Sequence, residues 1–215
     1  MKAIIIGATG ATGKVLVEQL LLNPDYTDVL VLVRKSFFEP HEKLKEVIVD
    51  FEKLDDYSNI IFADVAFSCL GTTLKQAKNK DEQWRIDYNY QYNFAKICID
   101  NKIGTFVLVS AMGASANSIF FYNKMKGALE HAISQLNFNR LIIMQPGSLI
   151  RPQSDRFGEN VAVKTLLFLN KMGMLRNYRP ISVFNLAKVM QIIVSKPRQH
   201  FVEKYKLLDI FNFLK

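Results

Sequence analysis

The stretch "FFYNKMKGAL" places Tyr122 and Lys126 four residues apart, a spacing that stacks both side chains on one face of a helix. A phenol beside a cation is a proton-transfer pair. A free phenol titrates near about 10, and a positive charge a few ångströms away favours its phenolate. Tyr92 and Lys96 repeat the spacing, so the pair needs a third group to be distinguished. Proton transfer to a substrate oxygen calls for a further group that orients that oxygen, a task suited to a serine hydroxyl. Ser110 closes the apolar run "TFVLVS" 12 residues before Tyr122, whereas Tyr92 has no serine at a nearby strand end. Ser110, Tyr122 and Lys126 are therefore the expected catalytic constellation, with Ser110 as the oxygen-orienting donor. Ser115 and Ser118 are the alternatives to Ser110, and Lys124 falls on the solvent side of the same helix.

The loop "IIIGATGATGKVLVEQL" supplies a partner for that chemistry. Gly7, Gly10 and Gly13 stand between a predicted strand and a predicted helix. Glycines there allow a tight turn and close approach of the backbone to a pyrophosphate, which the N–H groups of the helix terminus then receive. Thr9 and Thr12 add hydroxyl donors. About 20 residues further on, an NAD-binding chain carries an acid for the adenosine ribose; here "VLVRKSF" offers Arg34 and Lys35. Two cations suit a ribose phosphate, so NADP(H) is expected over NAD(H).

These groups need a sheet to hold them. "KAIIIG", "DVLVLV", "EVIVD", "IIFADVAFSCLG", "TFVLVS" and "RLIIMQPG" read as six strands, with helical patterns between them in "TGKVLVEQLLLN", "DEQWRIDYNYQYNFAKICIDNK" and "NSIFFYNKMKGALEHAISQL". Continuous apolar strands alternating with helices imply a parallel sheet covered on both faces, the doubly wound α/β architecture. Residues 1–215 are read as a single NAD(P)-binding Rossmann-fold domain. Residues 1–147 form its dinucleotide-binding core, and 148–215 form a substrate-side lid with helices in "VAVKTLLFLNKMG" and "NLAKVMQIIVSK".

"GATGATG", "SCLGTT", "VLVSAMGA", "YNKMK" and "MQPGSL" occur in the order seen in short-chain dehydrogenase/reductases. The chain resembles their atypical members of the Tat-interacting-protein type, small NADPH-binding oxidoreductase-like proteins. The resemblance spans nearly the whole chain. It implies dinucleotide contacts for Thr9, Gly10, Ala11 and Thr12, and adenosine-phosphate contacts for Arg34 and Lys35. It also implies an adenine-side step at Asp50 and Phe51, closing the third strand. Leu70, Gly71 and Thr72 match the turn that lines the cofactor, and Pro146 and Gly147 match the turn facing the nicotinamide. The chain departs from the pattern where Ala111 follows Ser110, and where Asp87 stands at a helix position that is Asn in many extended members.

Composition narrows the remaining choices. The net charge of +8 is spread along the chain among acids, with no block of five like charges, so it reads as a solvated surface, which a polyanionic small ligand would also suit, and a nucleic-acid face is not expected. No run approaches the length of a membrane span. Cys69 and Cys98 form no CxxC, and both read as reduced, buried thiols of a cytoplasmic protein. His41, His131 and His200 are scattered, so no metal site is expected and all three are assigned to the surface.

The expected function is NADPH-dependent hydride transfer to or from a small carbonyl or alcohol substrate, with Tyr122 as acid/base. The alternatives are an NADPH-sensing regulatory protein without turnover and a nucleotide-sugar epimerase or dehydratase. The latter is disfavoured by the short region after the sixth strand. Arg151 and Arg156 are open between binding an acidic substrate, closing over the cofactor phosphate and solvating their loop, and oligomeric state is open as well.

Overall fold

The computed structural model describes residues 1–151 and 179–215. Its sheet contains β1 (Lys2–Ile6), β2 (Asp28–Val33), β3 (Leu44–Ile48), β4 (Val65–Ser68), β5 (Thr105–Val109), β6 (Arg140–Gln145) and β9 (Val202–Lys206). They lie in the order β3-β2-β1-β4-β5-β6-β9, and every neighbouring pair is parallel. The chain winds outward from β1 in one direction and from β4 in the other. Between β1 and β4 the winding reverses, which opens a crevice at the carboxyl ends of these strands.

Strand alternation divides the core into two layers. Ile5, Val31, Phe67, Val107 and Ile142 face helices α1 (Ala11–Leu22) and α6 (Val183–Ser195), against Leu16, Leu20, Val189 and Ile193. Ile4, Ile6, Leu32, Phe106 and Ile143 face the other way, onto Phe94 of α4 (Tyr90–Asp100) and onto Leu129 and Ile133 of α5 (Phe121–Ser134). Such two-sided burial is what continuous apolar strands require.

The third strand sits two residues earlier than expected. β3 ends at Ile48, and Asp50 caps the following 3-10 turn, Phe51–Ile60, by accepting from Glu52 N–H at 3.0 Å. Asp50 and Phe51 thus follow β3 instead of closing it, because a capping carboxylate needs a backbone already turning out of the sheet.

The seventh strand was hidden in "VEKYK". Of its side chains only Glu203 is buried, so it has no apolar run to announce an edge strand. A short parallel pair, β7 (Leu149–Ile150) with β8 (Ile181–Ser182), lies apart from the main sheet. Ser182 then caps α6 by accepting from Asn185 N–H at 3.1 Å. The expected helix in "VAVKTLLFLNKMG" lies outside the described residues.

Candidate active site

Glycine geometry brings the backbones of β1, α1 and β4 together. Gly7 has φ +71°, and a Cβ on it would stand 2.4 Å from the Cys69 carbonyl carbon and from Leu70 N. A Cβ on Gly13 would stand 2.2 Å from Gly7 O, so helix and strand approach as only glycine permits. Gly10 caps α1 with no side-chain hydrogen bond, and the first turn of α1 carries no acid. The N–H groups of that turn therefore face the crevice with no side chain of their own to satisfy them.

A cavity of about 600 Å³ opens here. Gly10, Ala11 and Thr12 form one wall, Leu70, Gly71 and Thr72 another, and Ser110, Tyr122 and Lys126 the far end. The expected constellation is thus gathered around one space with the glycine loop. Lys126 is a fully buried side chain, while Tyr122 stands 39% exposed at the mouth. Ser115 and Ser118 do not line this cavity: their hydroxyls accept from Asn117 N–H and Phe120 N–H in local turns. Lys124 is exposed. Tyr92 stacks on Tyr88 with ring centroids 6.1 Å apart and packs against the core, so the rival pair is structural.

A neighbouring cavity of about 420 Å³ is lined by Gly7, Thr9, Gly10, Arg34, Phe51 and Tyr90, and a further one by Arg34, Asp50, Phe51 and Tyr90. Phe51 and Tyr90 are stacked with centroids 5.5 Å apart, forming an aromatic wall suited to the face of a base. Arg34 is common to both spaces. Lys35 is exposed and, among the described residues, lines neither. Pro146 and Gly147 do not line the large cavity either. Pro146 O accepts from Met112 N–H at 2.9 Å, and Gly147 lies against Leu207.

Two buried acids complete the site, and neither belonged to the expected constellation. Asp87 sits in a π-helical turn, Arg85–Asn89, an insertion of the kind that turns a side chain out of helical register. Its Oδ1 accepts from Thr72 N–H at 2.8 Å, tying the cofactor-side loop to this helix, while its Oδ2 is buried without a hydrogen-bond partner. Burial raises its carboxyl above the ordinary range, opposed by the Lys126 ammonium and the Thr72 N–H.

Glu130 lies one helical turn beyond Lys126 on α5. Its Oε1 accepts from Ser110 Oγ at 2.5 Å. Ser110 therefore directs its proton into the protein and meets the cleft as an acceptor. The sequence expectation was a donor toward the substrate oxygen; here the Ser110 hydroxyl donates to Glu130. The sequence signal for it was an acid on the buried stripe of α5, which also carries Met125, Lys126, Leu129 and Ile133.

Cys98 is buried, and Cys69 is half-buried beside the cavity. Burial pushes the Cys69 thiol up to about 12 against the opposing Lys126 charge, so it is an inert wall residue. The three histidines are exposed, and no cluster of metal-ligating side chains occurs among the described residues. No described helix is long and apolar enough to cross a membrane. Arg151 lines the large cavity with its Nε buried and unpartnered; Arg156 lies outside the described residues.

A family model described as NAD(P)H-binding matches residues 7–157, and the chain belongs to that NAD(P)-binding Rossmann family. Among particular relatives, protein HTATIP2 of Rattus norvegicus is 36% identical over 165 residues, covering 74% of this chain and 68% of that protein. The protein named "FMP52, mitochondrial" from Candida albicans is 35% identical over 197 residues, covering 88% and 86%. The expected likeness to atypical members of the Tat-interacting-protein type therefore holds.

Among solved structures, a short chain dehydrogenase family protein from Francisella tularensis superposes with TM-score 0.68 at 17% identity, covering 94% of this chain and 96% of that one. MoeE5 in complex with UDP-glucuronic acid and NAD gives TM-score 0.72 at 14% identity, covering 95% and 75%. At these identities the likeness is one of fold.

Proposed function

We propose that this protein is an NADPH-dependent oxidoreductase that transfers hydride between the nicotinamide and a small carbonyl or alcohol. The observation that supports it most directly is the convergence of Ser110, Tyr122 and Lys126 on the cavity that also holds the glycine loop. The residues fit a dinucleotide. Gly7 and Gly13 let the loop pack tightly against the end of β4 and the start of α1, the α1 terminus is uncapped, and Lys126 is a buried cation with no direct hydrogen bond or ion pair among the described residues.

Gly10, Ala11 and Thr12 would hold the diphosphate, Phe51 and Tyr90 the adenine, and Arg34 the ribose phosphate. The nicotinamide, when bound, supplies or takes the hydride. Tyr122 gives the substrate oxygen its proton in reduction and removes it in oxidation. Lys126, one helical turn along α5 from Tyr122, would anchor the nicotinamide ribose. Ser110 meets the substrate with its lone pairs. Two free thiols fit a reducing compartment such as the cytosol, while two relatives are named as mitochondrial; cell fractionation separates cytosol from mitochondrion.

The test is Tyr122→Phe assayed with NADPH and a carbonyl panel. Turnover is expected to fall about 100- to 10,000-fold, with NADPH binding kept. Turnover at the wild-type level in that variant sinks the mechanism, and a wild type that binds NADPH but reduces nothing points to the sensing protein instead. In the same binding assay NADPH should be preferred to NADH, and Arg34→Ala should remove most of that preference. A preference for NADH in the wild type would reverse the cofactor assignment.

A further inference from the structure

Ser110 and Glu130 are both buried, 5% and 4% exposed. The Glu130 carboxylate is surrounded by donors: Ser110 Oγ at 2.5 Å, Gln145 Nε2 at 2.8 and 3.1 Å, and Lys204 Nζ at 2.7 Å. Gln145 ends β6, and Lys204 lies on the neighbouring β9 with its side chain 43% exposed. An ionised carboxylate has no proton to give and accepts from all of them. A hydroxyl has one proton, and that of Ser110 is committed to Glu130. What Ser110 presents to the cavity is its lone pairs, so the group it meets there must be a donor.

A simple carbonyl compound has no such donor. Tyr122 already offers a proton to the carbonyl oxygen, and an unpartnered Ser110 Oγ facing an apolar substrate would lose a hydrogen bond. A hydroxyl on the neighbouring carbon satisfies both groups at once, with the carbonyl oxygen on Tyr122 and the adjacent hydroxyl donating to Ser110.

The geometry points to an α-hydroxycarbonyl compound, or the corresponding vicinal diol, as the substrate class, with Glu130 as the positioning residue that makes Ser110 an acceptor. This inference rests on the oxidoreductase reading above. In reduction the carbonyl carbon receives a hydride from NADPH and its oxygen a proton from Tyr122, giving the diol and NADP⁺. The neighbouring hydroxyl is unchanged, and Glu130 neither gains nor loses a proton. The Lys204 ammonium and the Gln145 amide offset the cost of keeping the carboxylate charged below the surface.

The experiment compares hydroxyacetone with acetone, which differ by that one hydroxyl, in wild type, Glu130→Gln and Ser110→Ala, each with NADPH. Wild type is expected to favour hydroxyacetone in kcat/KM by about tenfold or more, as for a hydrogen bond reinforced by a charge. Both variants should bring the two ketones near parity. A role for Glu130 confined to stability would lower both rates together and leave their ratio unchanged. Equal kcat/KM for the two ketones in wild type, or a preference that survives in both variants, overturns the inference.

If wild type oxidises no NADPH with either ketone, the oxidoreductase reading is what has failed. The acceptor role of Ser110 is then decided by thermal unfolding of the NADPH complex. Propylene glycol should stabilise wild type more than isopropanol does, and the difference should vanish in Ser110→Ala. Equal stabilisation by the two alcohols overturns the inference by this route as well.

Discussion

Arg140 and Lys126 are both buried cations, 6% and 2% exposed, yet the protein treats them in opposite ways. Arg140, at the start of β6, is saturated. Its guanidinium donates to Glu203 at 2.8 and 3.0 Å and to the carbonyls of Ile193, Val194 and Lys196 at the end of α6. It ties the last carbonyls of a helix, where a cation is favoured, to the edge strand that needs pairing. Lys126 has no direct hydrogen bond or ion pair among the described residues. It feels Asp87 at longer range, and the second oxygen of Asp87 is itself unpartnered. The saturated cluster is away from the cavity, whereas Lys126 lines it. Buried charge that is fully paired holds the fold together; buried charge left short of partners marks where a ligand completes the structure.

Substituting each cation is the most forceful test of that contrast. Arg140→Met leaves Glu203 buried without its counter-ion and should cost about 3–5 kcal/mol in chemical denaturation. Lys126→Met should cost much less in the same measurement, since it removes a desolvated charge that makes no direct bond, while weakening NADPH binding. Equal losses of stability would erase the distinction.

A smaller effect should appear in the pH dependence of stability, where the acids of the two clusters carry opposite signs. Burial works against the Glu203 carboxylate, but the Arg140 guanidinium, the Tyr205 hydroxyl and the Gln199 N–H outweigh it and hold its pKa below the ordinary value. Its contribution is present above the unfolded-state pKa and lost as pH falls through the lower folded one. The carboxyl of Asp87 is shifted upward. The folded state keeps that proton while the unfolded chain releases it, so stability declines as pH rises from the ordinary carboxyl range through the raised value. Glu203→Gln should therefore destabilise at neutral pH and lose its effect in acid. Asp87→Asn should give a modest gain at neutral pH that vanishes in acid. Denaturation midpoints across pH check both, and a loss of stability in Asp87→Asn at neutral pH would contradict the assigned penalty.

Much of the crevice was legible because local rules govern it. The glycine spacing, the serine at a strand end and the Tyr–Lys pair at helical spacing are all short-range patterns. The Tyr92 pair shows their limit: it obeys the same spacing, yet its helix packs Tyr92 against the core and leaves Lys96 exposed. The aromatic wall required Tyr90, which lies 39 residues from Phe51 and joins it only when α4 packs beside the turn after β3. Lys35 follows the same local logic as Arg34, yet it lines neither of the cavities that Arg34 lines.

Apolar continuity and helical period by themselves determined the parallel α/β order through β6, since each strand or helix needs only its own residues to declare which faces must be buried. Tertiary structure alone decided where the charges went. β9 became a strand because Glu203 pairs with Arg140, 63 residues away. The polarity of Ser110 was set by Glu130 across 20 residues and by Lys204 behind it. A hydroxyl carries no mark in the sequence of the direction in which it will donate; that follows from which acceptor the fold brings within hydrogen-bonding distance.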